Sequence, residues 1–70
     1  MRALLRNIRL EATLRQVDLA ARLGQPQSFV SKYESGERNL DIIELYDICE
    51  ALGINLTQFI QRWVNSLSSH

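Results

Sequence analysis

Apolar positions recur at helical spacing along the whole chain, and no stretch alternates in the manner of a strand. Leu4, Leu5 and Ile8 mark a first helix over about residues 2–11. Thr13-Leu14-Arg15-Gln16 has the form of a capping box, in which hydroxyl and amide satisfy two orphan N–H groups. It predicts a second helix over residues 14–22 that buries Leu19, Ala20 and Leu23, with Gly24 just past its end. Pro26 suits a first helical position, because its φ is preset and its missing N–H is not needed there. A third helix is therefore predicted over residues 25–34, with Val30 and Tyr33 inward and Ser35-Gly36 ending it. Asp41-Ile42-Ile43-Glu44 repeats the capping pattern and opens a fourth helix. Its buried stripe is Leu45, Ile48, Cys49 and Leu52, and Gly53 terminates it. Asn55-Leu56-Thr57-Gln58 is a third such box. The last helix is expected to bury Leu56, Phe59, Ile60, Trp63 and Leu67 before residues 68–70 fray. Five short helices and no strands predict a compact all-α bundle, one domain over residues 1–70.

With 46% apolar and 23% charged residues, the 70-residue composition is that of a single soluble globular domain. A chain this short buries only about 60% of its unfolded surface, so it builds one core. A two-domain enzyme with a deep cleft is excluded. The lone Cys49 rules out an internal disulfide and a zinc site. No apolar run approaches the roughly 20 residues that span a bilayer, and no leader is evident, so the expected location is cytoplasmic.

Charge alters the picture only through its distribution. Eight basic and eight acidic groups cancel, which at first argues against nucleic acid. Residues 1–38, however, hold seven basic and four acidic groups, net +3, and residues 39–70 hold one basic and four acidic, net −3. Two faces with different partners fit this asymmetry. A solvated surface with scattered charge fits it equally.

Residues 14–36 carry the candidate chemistry. Two helices too short to be stable alone are joined by a tight turn at Gly24, and both must pack on their neighbours. Ala20 is small enough to let the third helix cross closely, and Val30 plugs the crossing. The third helix then projects Gln27, Ser28, Ser31 and Lys32 away from the Val30/Tyr33 side. Gln pairs bidentately with adenine, Lys reaches guanine O6/N7, and Ser serves base or phosphate. The same pattern also describes the solvent face of an ordinary amphipathic helix.

Beyond this pattern, residues 4–60 resemble the phage-repressor or xenobiotic-response-element (XRE) family of helix-turn-helix DNA-binding domains. The resemblance is carried by Leu5, Ile8-Arg9, Leu14-Arg15-Gln16, Leu19-Ala20, Leu23-Gly24, Gln27-Ser28, Val30-Ser31-Lys32, Glu34, Gly36, Arg38 and Ala51-Leu52-Gly53-Ile54. It implies a five-helix lambda-repressor-like domain with the helix-turn-helix at helices two and three, about residues 14–34. It implies that the third helix enters the major groove while the second crosses the backbone. Carried over residue by residue, it makes Gln27, Ser28 and Lys32 base-edge readers with Ser31 beside them. Gln16 would hold a phosphate at a helix N-terminus, and Arg38 and Asn39 would contact phosphate or a neighbouring base. Arg9 and Glu34 would form a partly buried structural ion pair. Two departures stand out: Ala12-Thr13 replaces a small glycine before the second helix, and Pro26 replaces a Ser/Thr cap.

Other chemistries find no support. His70 is terminal and alone, Cys49 lies on an inner stripe, and Ser28 and Ser31 lack a histidine base. Asp41, Glu44, Asp47 and Glu50 drift around their helix, and no glycine-rich phosphate loop is present. No enzyme activity, metal, cofactor or small-molecule ligand is expected. The expected partner is double-stranded DNA, read in sequence-specific fashion by a homodimeric, repressor-like transcriptional regulator on a palindromic operator. Trp63, Val64 and Leu67 on the last helix are the candidate dimer interface, although Trp63 closing the core fits as well. The competing expectation is an antitoxin-like or adaptor module that uses this fold to bind a protein.

Overall fold

The computed structural model describes residues 1–68; Ser69 and His70 lie outside the described residues, as does any expectation placed on them. Five helices follow in order: α1 Arg2–Glu11, α2 Gln16–Leu23, α3 Gln27–Ser35, α4 Ile42–Leu52 and α5 Leu56–Ser68. No strand occurs among the described residues. No helix of the described chain is long and apolar enough to cross a membrane.

One core joins all five helices. Leu5 and Ile8 of α1 meet Leu19 and Ala20 of α2, Val30 and Tyr33 of α3, the Leu45/Ile48/Cys49/Leu52 stripe of α4, and Phe59 of α5. Excluding a large aliphatic or aromatic side chain from water contributes about 1.5–3 kcal/mol. Helices of eight to thirteen residues depend on such burial, being marginal in isolation. The α2–α3 pair packs against α1 through α3 and against α4 through α2, so the turn at Gly24 is held from both sides.

Three helix ends follow the chemistry of their residues closely. Asp41 Oδ1 accepts from the Glu44 amide at 2.7 Å, and Glu44 Oε1 accepts from the Asp41 amide at 3.1 Å. Asn55 and Gln58 exchange the equivalent bonds at 2.8 and 3.2 Å. The C-terminal cap Gly24 adopts φ 65°, a left-handed conformation that costs glycine nothing.

The start of α2 differs from expectation. Thr13 caps nothing: it has φ 58°, and its hydroxyl donates to the Ala12 carbonyl. The Leu14 carbonyl, which would accept from the Asp18 amide in a helix beginning there, is instead taken by the Arg9 guanidinium at 2.8 Å, and the Asp18 amide bonds the Arg15 carbonyl. The helix therefore begins two residues later, with Arg15 as its cap residue and the Asp18 carboxylate accepting from the Arg15 amide at 2.9 Å. Pro26 also stands one position outside the place predicted for it. With φ −68° and ψ 154° it is the extended residue before α3, and its carbonyl accepts from the Phe29 amide. On α5 only Phe59 is fully buried. Leu56, Ile60 and Trp63 are half-buried, and Leu67, expected inside, is 54% exposed.

Candidate nucleic-acid interface

α3 is short and one-sided. At about 100° per residue, Gln27, Ser28, Ser31 and Lys32 fall within an arc of roughly 140°, and Phe29, Val30 and Tyr33 occupy the opposite side. Val30 and Tyr33 are buried and pin that side to the core. Phe29 is half-buried, meeting the Tyr33 ring edge-on at 5.7 Å, so it acts in packing. Gln27, Ser28 and Lys32 are exposed and Ser31 is half-buried. Among the described residues, the Ser28 and Ser31 hydroxyls and the Lys32 ammonium have no intramolecular partner. Ser35 shares this arc, a position that sequence reasoning missed, but its hydroxyl turns back to the Lys32 carbonyl.

The remaining polar groups form a connected chain that begins inside the molecule. The Arg9 guanidinium donates twice to Glu34, Nε to Oε2 at 2.8 Å and Nη2 to Oε1 at 3.0 Å. Both side chains are nearly excluded from water, 7% and 4% exposed. The bond from Glu34 holds the Arg9 guanidinium above its ordinary pKa, against the opposing cost of burial. Glu34 Oε1 also accepts from Gln16 Nε2 at 3.1 Å, and Gln16 Oε1 accepts from Gln27 Nε2 at 3.4 Å. A buried ion pair on α1 and α3 thus orients a glutamine at the head of α2, which in turn orients the first residue of α3.

This chain leaves a defined hydrogen-bonding remainder. Gln27 retains its amide oxygen and one N–H, the acceptor–donor pair that complements the N6 and N7 edge of adenine. Gln16 retains one N–H pointing away from its bond to Glu34.

Arg38 and Asn39 follow α3 and are exposed. Arg38 is engaged within the molecule: its guanidinium pairs with Glu44 and lies over the Phe29 ring, 5.1 Å from the centroid. The structure therefore brings Arg9, Gln16, Gln27 and Glu34 into one network and places Ser28, Ser31 and Lys32 beside it. Arg38 and Asn39 lie at the far end of the same helix. Trp63, Val64 and Leu67 lie on another helix, α5, with Val64 and Leu67 exposed. No group of His, Cys, Asp and Glu among the described residues is arranged to hold a metal ion.

Known proteins share this fold. The helix-turn-helix family model matches residues 5–59. The HTH-type transcriptional regulator y4dJ of Sinorhizobium fredii (strain NBRC 101917 / NGR234) is 36% identical over 53 residues, which are 76% of this chain and 69% of that relative. An XRE-family like protein from Pseudomonas syringae pv. tomato str. DC3000 superposes with a TM-score of 0.79 at 45% identity, covering 87% of this chain and 78% of that one. The wild-type restriction-modification controller protein C.Esp1396I superposes with a TM-score of 0.91 at 28% identity, over 99% of this chain and 90% of its own. On the strength of that family match, the five-helix fold and the polar face built on α2 and α3, the chain belongs to the XRE family of helix-turn-helix DNA-binding regulators.

Proposed function

We propose that this protein is a sequence-specific transcriptional regulator that binds a palindromic operator as a homodimer and acts as a repressor in the cytoplasm. The reading rests on one observation: a polar row on α3 in which Ser28, Ser31 and Lys32 have no side-chain partner among the described residues, while Gln27 is held by a network rooted in a buried ion pair. Organising side chains from within while leaving their outer groups unsatisfied suits a face that meets base edges. In this reading Gln27, Ser28, Ser31 and Lys32 read bases. Gln16, Asn39 and Arg38 (once it exchanges Glu44 for phosphate) hold the backbone. Two copies meeting through Trp63, Val64 and Leu67 would present their α3 helices about 34–36 Å apart, one turn of duplex.

Selection of bound duplexes from a random pool tests the reading, because a palindrome reports sequence preference and dimer symmetry together. Lys32→Ala is then expected to weaken the selected duplex by about 1–3 kcal/mol and to relax preference at one base position. Equal losses on selected and random duplexes would remove Lys32 from the reading role. Retention of no duplex at micromolar protein and low salt would favour the protein-interaction module. That second reading draws on Ile42, Ile43 and Tyr46, an apolar set on α4 that is 63, 69 and 49% exposed.

A further inference from the structure

Beside the C-terminal end of α3, a recess of about 470 Å³ is lined by Arg2, Tyr33, Gly36, Arg38, Asn39 and neighbouring apolar side chains. No carboxylate lines it. The Arg2 guanidinium lies across Gly36, occupying the place where a Cβ would stand. The φ of +88° at Gly36 strains any L side chain, and the tip of the flexible Arg2 side chain rests in the space above it. The two arginines of the recess differ. Arg38 is engaged by Glu44 and Phe29, whereas Arg2 is exposed and, among the described residues, has no carboxylate partner.

From this we infer that Arg2 is a further backbone-binding residue, holding a phosphodiester of the duplex together with the Asn39 amide. The inference rests on the DNA-binding reading and deepens it. A cation lining the same recess as Asn39 adds a clamp from α1 to the contacts made from α2 and α3. Gly36 leaves room for the Arg2 guanidinium at the end of the reading helix. Contacts of this kind set register and orientation and carry no base preference. A purely structural role is the alternative use of the same geometry, since a cation at a helix C-terminus also complements the α3 dipole.

Salt titrations of binding to a selected and a scrambled duplex, with thermal melts of the same proteins, separate the two. Arg2→Gln should weaken both duplexes by the same several-fold factor and make the log K against log salt slope shallower by about 0.9 per protomer, one phosphate contact in each half of the homodimer. Arg2→Lys, which keeps the charge, should restore the slope. A Tm lowered by Arg2→Gln with the slope unchanged would assign Arg2 to the helix dipole and overturn the proposal. Chemical shifts of the Arg2 side chain responding to inorganic phosphate, again with the duplex slope unchanged, would overturn it as an anion site unrelated to DNA. If the unsubstituted protein retains no duplex, the DNA-binding reading itself fails. Loss of only the Arg2 effect, with the Lys32→Ala effect intact, leaves that reading standing and removes this inference.

Discussion

Thr13 is a β-branched residue at φ 58°, where its Cβ crowds the following carbonyl at a cost of roughly 1–2 kcal/mol. Relief of that strain outweighs the loss of one exposed hydroxyl bond to Ala12. Thr13→Gly should therefore stabilise the domain by about 1 kcal/mol, the glycine's larger unfolded-state entropy offsetting part of the gain. For a domain of this size that is a rise in Tm of about 4–8 °C, read by calorimetry. At Arg9 and Glu34 the sign is opposite. Glu34→Ala would leave a nearly buried guanidinium with only the Leu14 carbonyl, costing about 3–5 kcal/mol. Against a total stability of roughly 4–10 kcal/mol for 70 residues, that variant should lose about a third or more of its stability, as read from urea melts. Replacing both partners by leucine should recover most of the loss, because no buried charge then remains. Both residues stand out in the sequence only through a family resemblance. Nothing in their spacing of 25 positions announces a contact.

At the scale of elements, the helices that the sequence placed well are those whose ends are local matters. The Asp41/Glu44 and Asn55/Gln58 exchanges span three residues, so each is set by side chains that are neighbours in any helical conformation. Asp41→Ala should cost about 1 kcal/mol in denaturant melts without altering the slope of the transition. The α2 start was misplaced for the complementary reason. The Leu14 carbonyl is claimed by Arg9, a residue of another helix, and an acceptor diverted from outside leaves no mark in the local pattern. The same limit applies to α3. Its polar row was legible from the 3.6-residue period, but the bond from Gln16 that orients Gln27 joins residues 11 apart on two helices.

For the molecule as a whole, acid should loosen the ties between helices and at their ends together. Arg62 holds the Glu11 carboxyl below its ordinary 4.5, and Arg15 holds Asp18 below its ordinary 3.8. The Asp41 amide, and after it Arg38, lower Glu44 from 4.5. A carboxyl lowered on folding adds stability that is complete above its unfolded value and disappears as pH falls through the folded one. Stability should therefore hold from pH 7 down to about 5 and decline steadily below about 4.5. The decline should be modest, because these groups are exposed, and smaller still at high salt. Melts at low and high ionic strength across that range check the sign.

The order of five helices, the capping boxes of α4 and α5 and the inward stripe of α4 were written in the sequence, since each depends on residues within one or two turns of one another. Which polar residues are tied to the interior, and which remain free to meet a partner, was decided by the tertiary structure. Arg9 with Glu34, Arg38 with Glu44 and Phe29, and Arg2 across Gly36 are contacts between elements. So are the exposures of Ile42, Ile43, Tyr46, Val64 and Leu67, which periodicity alone would have placed on either side of a helix. Helical period reports that a residue lies on a face, and only the packing of one helix against another determines what that face meets.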